Sequence, residues 1–64
     1  MPRLNIGDRV RILPTEPTPF ANLQAIVRAV RLQDHGLSVL DRYVVVFDWG
    51  EEQAFYDVQL DRVP

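Results

Sequence analysis

Arg42-Tyr43-Val44-Val45-Val46-Phe47-Asp48, then Trp49-Gly50, then Glu51-Glu52-Gln53-Ala54-Phe55-Tyr56, is the stretch that decides the fold. β-Branched and aromatic residues fill its first half, and turn-forming residues interrupt it once. That pattern reads as two antiparallel strands joined by a tight turn, a β-hairpin. Tyr43, Val45 and Phe47 fall on one face, while Val44 and Val46 fall on the other, and both sets are apolar. A strand with one wet face alternates, and this one does not. Its outer valines therefore call for cover, from a loop or from another subunit. Val44 and Val46 are the candidate self-association residues, and a homo-oligomer is one expected state.

Beyond the hairpin, Asp57-Val58-Gln59 is short enough for one 3₁₀ turn, and Leu60-Asp61-Arg62-Val63 closes as a last strand. At the other end, Ile6-Gly7-Asp8 signals a turn. Arg9-Val10-Arg11-Ile12-Leu13 then alternates polar and apolar, which predicts a half-buried strand with Val10 and Ile12 inward. Pro14 ends that strand. Pro14, Pro17 and Pro19 permit neither a strand ladder nor a helix interior, so residues 14–22 read as a stiff, largely extended loop. Its one large apolar side chain is Phe20. Gln33-Asp34-His35-Gly36 reads as a polar turn, and Leu37–Asp41 as a continuing connection.

Residues 23–32 admit two readings. Leu23, Ile26, Val27 and Val30 fall at helical spacing, with Thr18-Pro19 as a start and Gly36 as a stop. A strand would instead place Ala25, Val27 and Ala29 on one face, and Ile26, Arg28 and Val30 on the other. Periodicity alone leans slightly to helix, and the strands on either side tip the balance to strand. The expected fold is thus all-β, a small five-stranded shell closed on itself, forming a single domain over residues 1–64. The alternative is α+β, with a helix at about 19–33.

Composition narrows the function. The chain has 64 residues, with 7 Arg, no Lys, 9 Asp plus Glu, 1 His and no Cys. A chain this short buries only about 60% of its unfolded surface, so its core is thin. Without cysteine there is no disulfide, no thiolate nucleophile and no Cys-based zinc site. The longest apolar run, Tyr43–Phe47, falls far short of the roughly 20 residues of a membrane span. No signal-peptide core follows Met1-Pro2-Arg3, so the expected location is cytoplasmic. His35 reads as an exposed turn residue, because no Ser or Cys pattern accompanies it. Ser38 has no glycine-flanked elbow. Asp48, Glu51 and Glu52 form an acidic hairpin tip that reads as solvated turn charge, since it offers a metal too few pre-organised oxygens. The reading is therefore non-enzymatic, with no cofactor and no metal.

Charge is unevenly distributed. Arg3, Arg9, Arg11, Arg28 and Arg31 against Asp8 and Glu16 give residues 1–33 a net +3. Arg42 and Arg62 against Asp34, Asp41, Asp48, Glu51, Glu52, Asp57 and Asp61 give residues 34–64 a net −5. A nucleic-acid module shows a basic excess on one face. Here the basic half is shallow and the acidic half repels phosphate, so nucleic acid ranks well behind protein as a partner. Ordinary solvated charge is the bland reading; a charge-split surface that orients a protein partner or a second copy is the sharper one.

The order of strand, Pro-rich loop, strand, connection, strand, tight turn, strand, 3₁₀ turn and short strand resembles an SH3-like five-stranded barrel. Gly7-Asp8-Arg9-Val10-Arg11-Ile12-Leu13 looks like the first strand of many such barrels. Ala25-Ile26-Val27-Arg28-Ala29-Val30 sits where such families often carry Gly-x-Val-x-x-Val, with Ala25 in place of the glycine. The Gln33–Asp41 connection is longer than usual. Over roughly residues 6–63 the chain is similar to small accessory subunits of photosynthetic electron-transfer complexes. Those are photosystem I subunit IV and the S subunit of the NAD(P)H dehydrogenase. That resemblance implies a non-catalytic subunit that helps dock a protein partner. A second resemblance is to the type II dihydrofolate reductases, through Gly7–Arg11 and Leu60-Asp61-Arg62-Val63. It implies a pore formed by an oligomer, with Gln53 at the position of the pore glutamine. Phe55 stands where that family has tyrosine and Glu52 where it has valine, and no Lys supplies the cationic pore residue.

Trp49 completes the reading. An indole in a turn between acidic residues is costly to leave in water. Either it folds back over the barrel edge as a lid, or it joins Phe20 and Tyr56 in an aromatic patch that takes a partner. Trp, Tyr and Arg are enriched among interface anchors. The candidate partner-binding residues are accordingly Phe20, Trp49 and Tyr56, with Arg28 and Arg31 as orienting charges.

Overall fold

A computed structural model describes residues 4–31 and 41–64 of the chain. The expected turn at 33–36, the connection as far as residue 40, His35 and Ser38 lie outside the described residues. Five strands form one antiparallel sheet: β1 (Arg9–Ile12), β2 (Gln24–Arg31), β3 (Arg42–Val46), β4 (Glu52–Tyr56) and β5 (Leu60–Arg62). Their order across the sheet is β4-β3-β2-β1-β5. The fold is all-β, small and barrel-like, and residues 24–31 are strand rather than the alternative helix at about 19–33.

The hairpin sits where the sequence placed it. Val44 faces Ala54 and Arg42 faces Tyr56 across β3 and β4. The Phe47 N–H donates to the Glu51 carbonyl at 2.9 Å, and the Gly50 N–H returns to the Phe47 carbonyl at 2.9 Å. Gly50 has φ +90°. A glycine at positive φ as the third residue of a three-residue loop is a favoured way to reverse a twisted hairpin.

β2 explains its own ambiguity. Ile26 and Val27 face Val46 and Val45, but Ala29 then faces Val44, so Arg28 is an extra residue in the ladder. Such a β-bulge bends a strand and sharpens its twist. The bend lets β2 pair with β1 over Gln24–Ile26 and with β3 over Ile26–Arg31. It also resets the faces. Ala25 and Val27 are buried before the bulge, and Val30 packs on the core after it. The simple alternation that groups Ala29 with Ala25 and Val27, and Val30 with Ile26 and Arg28, is thereby corrected beyond the bulge.

The inner face collects Val10 and Ile12 from β1, Ala25 and Val27 from β2, and Tyr43 and Val45 from β3. Leu4, Phe47, Phe55 and Leu60 complete it. Tyr43 is fully buried, and its hydroxyl is satisfied on both sides. It accepts from the Leu4 N–H at 3.4 Å and donates to Asp57 Oδ2 at 3.3 Å. Burial pushes its phenol above the usual tyrosine range, and the nearby Asp57 and Asp41 carboxylates add to the push.

Two expectations of shape are corrected. The shell is open, because β5 pairs with β1 and not with β4. The 3₁₀ turn at Asp57–Gln59 swings the chain away from the β4 edge before β5 begins. The Gln59 side chain holds that turn, accepting from the Tyr56 N–H at 2.9 Å and donating to Glu16 at 2.6 Å. The proline-rich loop is also not extended. It folds as a run of turns, with the Glu16 N–H on the Leu13 carbonyl, Ala21 on Thr18 and Leu23 on Phe20. Asn22, at φ 66°, then turns the chain into β2. Asparagine tolerates that left-handed conformation better than other side chains.

Candidate functional site

The loop and the hairpin meet in a stack of three rings. The Thr18 hydroxyl accepts the Phe20 N–H at 3.3 Å. This local turn aims Phe20 at the sheet. Its ring lies over Phe47, with centroids 4.9 Å apart and planes 18° off parallel. On the other side of Phe47 lies the Trp49 indole, at 4.8 Å and 13°. Phe55 meets the Phe20 ring edge-on at 6.3 Å. Phe47 is 2% exposed and Trp49 58% exposed. The stack therefore runs from the core to solvent within two residues of chain.

One face of the indole covers Phe47, as a lid does, while much of the rest is open to solvent. Its position is fixed as well. The indole Nε1–H donates to Glu51 Oε1 at 3.0 Å, and Gln53 Nε2 donates to Glu51 Oε2 at 2.7 Å. The hydrogen bond from Trp49, and after it the one from Gln53, holds the Glu51 carboxyl below the usual glutamate range. Glu51 is a charged anchor for the edge of the ring. Gln53, the residue matched to a pore glutamine, is committed to this network.

Tyr56 does not join the patch. It sits at the base of the hairpin, about 17 Å of extended chain from Glu51. Its exposed ring lies under the Arg42 guanidinium, 5.3 Å from the centroid. Arg31 faces Arg42 at that same end of the ladder. Arg28, the bulged residue, pairs with Glu52 across the outer face. Of the five candidate partner-binding residues, only Phe20 and Trp49 come together, and Phe47 is what joins them. By the alternation of β3, Phe47 falls on the inward face with Tyr43 and Val45. Its i, i+2 relation to Trp49 at the start of the hairpin turn is the signal in the sequence.

Val44 and Val46 do point outward, and both are half-buried. They share the outer face with Ala29, Ala54 and Ile26, their ladder neighbours. The charge split along the sequence is largely cancelled by folding. Arg11 lies 3.9 Å from Asp61, Arg62 lies 3.9 Å from Asp8, and Arg28 meets Glu52, so each pair joins one half of the chain to the other.

Among the described residues, no group of three or more His, Asp or Glu side chains gathers as a metal site. None of the described helices is long and apolar enough to cross a membrane. The molecule belongs, by its architecture, to the small antiparallel β folds with a surface aromatic ridge. Comparison with family models, with curated proteins and with solved structures finds no match.

Proposed function

We propose that this protein is a small non-catalytic interaction module, an accessory subunit that docks a protein partner on the Phe20–Phe47–Trp49 ridge. The observation that carries the reading is the Trp49 ring, open to solvent yet fixed by a stacked ring beneath and a hydrogen bond at its edge. A solvent-facing indole held in one geometry loses little conformational freedom on binding, which favours an anchor residue. The barrel resemblance, in which such subunits serve to dock proteins, agrees with this reading.

The test is parallel capture from native lysate by three forms of the protein: wild type, Trp49→Ala and Val58→Ala. Val58 is as exposed as Trp49 but lies on the 3₁₀ turn, outside the ridge. A protein retained by wild type and Val58→Ala but lost by Trp49→Ala supports docking on the ridge. Identical capture by all three, with circular dichroism unchanged, rules it out.

A further inference from the structure

The ridge has a chemical preference that its apolar rings alone do not give. Across the rest of the sheet, carboxylates are matched by arginines: Asp61 by Arg11, Asp8 by Arg62 and Glu52 by Arg28. Within the hairpin tip, and among the described residues, Asp48 and Glu51 lack the arginine that their neighbour Glu52 has. The two hydrogen-bond donors to Glu51 are neutral, an indole N–H and an amide. Asp48 is exposed, and among the described residues no arginine pairs with it. Two negative charges without an arginine among the described residues thus flank Trp49 in sequence, and one of them, Glu51, meets the edge of its ring.

The indole adds to them. Phe47 covers one of its faces, which leaves the other as a negative quadrupole toward solvent. Cations, and arginine most often among side chains, bind over such a face, with Trp the best of the aromatic residues. Ring and carboxylates therefore ask for one kind of contact, a positive charge on a flat or slender apolar stem.

Resting on the docking reading above, we propose that the partner segment received at Trp49 is basic. It is a polypeptide that lays an Arg or Lys side chain over the open indole face, its charge drawn toward the Glu51 edge of the ring and toward Asp48, the residue before it in the chain. The same hydrogen bond that orients the ring holds the Glu51 carboxyl below the usual glutamate range.

A phage-displayed library of random dodecapeptides, selected on the wild-type protein and depleted on Trp49→Ala, tests this. Selected peptides are then synthesised and titrated against wild type and against the double variant Asp48→Asn/Glu51→Gln. Glutamine at 51 keeps a carbonyl for the indole N–H, so the ring stays anchored while the charge goes. The expected result is that Trp49-dependent peptides carry Arg or Lys. Removing either the peptide's cation or the two carboxylates should weaken binding about 5- to 30-fold. Trp49-dependent peptides without basic residues, bound equally by the double variant, would overturn the basic preference and leave the docking reading in place. If no peptide depends on Trp49, and circular dichroism shows the variant folded, both fail together.

Discussion

Replacing Phe47 by leucine probes the stack at its centre. Phe47 is buried and has a parallel ring on each side. Shortening a buried phenylalanine to leucine forfeits about 1 kcal/mol of transfer free energy and leaves a small void. Each aromatic pair lost adds about 0.5–1.5 kcal/mol beyond area. Two pairs are lost, so the whole cost is about 2–4 kcal/mol. A domain of this size has roughly 3–10 kcal/mol in total. Phe47→Leu therefore removes a large share of the stability and still permits folding at low temperature, whereas Phe47→Ala would not. Urea unfolding followed by circular dichroism reads the cost as a fall in midpoint of about 2–4 M, taking a slope near 1 kcal/mol per molar. Trp49 fluorescence should shift to the red even before unfolding, because the ring beneath the indole is gone. A double-mutant cycle with Trp49→Ala should return a coupling of about 0.5–1.5 kcal/mol. If Phe47→Leu costs less than about 1 kcal/mol, or the two substitutions simply add, the three rings are not an energetic unit and the argument for a fixed anchor fails.

Tyr43→Phe should cost about 1–2 kcal/mol in urea melts, since the buried Leu4 N–H loses its acceptor. The Tyr43 phenol titrates higher in the folded protein, so its contribution is whole below about pH 10 and is lost as pH rises from there through the folded-state value. Alkaline unfolding should begin above pH 10 in wild type and move further up in Tyr43→Phe; an identical alkaline limb in both would refute this. Gly50→Ala should cost about 1–2 kcal/mol through backbone strain alone, because an added Cβ meets nothing within 4 Å. A neutral effect would mean that the turn is not held at positive φ. The depressed Glu51 carboxyl stabilises the hairpin tip above the ordinary glutamate range, and that contribution is lost as pH falls through its folded value. The Trp49 indole N–H resonance should therefore move with a midpoint below that of an ordinary glutamate, and a resonance that stays constant to pH 2 would contradict the hydrogen bond.

Much of this architecture was legible in the residues. The hairpin from Arg42 to Tyr56, the 3₁₀ turn at Asp57–Gln59 and the inward Val10 and Ile12 follow from alternation and turn chemistry, which are local. Residues 24–31 read as strand from their neighbours but not from their own periodicity, for a specific reason. The bulge at Arg28 inserts one residue, so the buried positions step from Val27 to Val30, a spacing of three that imitates a helix turn. The open edge between β4 and β5 was equally hidden, because which strand β5 chooses depends on the direction in which the 3₁₀ turn releases it. For the site, Phe20 and Trp49 were found by residue type, but their connection passes through Phe47, a core residue. Tyr56 was grouped with them by composition, although its distance from the tip along a strand places it at the far end of the hairpin. The charge asymmetry pointed to a polarised surface, and antiparallel pairing instead laid the basic half against the acidic half. At the hairpin tip, Asp48 and Glu51 have no arginine partner among the described residues.

The docking proposal stands on the Trp49 ring as an anchor for a protein partner. The binding isotherm of a partner captured through the ridge, measured by calorimetry with wild type and Trp49→Ala, tests it most directly. Trp49→Ala should lose about 2 kcal/mol or more, roughly 30-fold in affinity, with its circular dichroism unchanged. Equal affinity for the two folded proteins would contradict it.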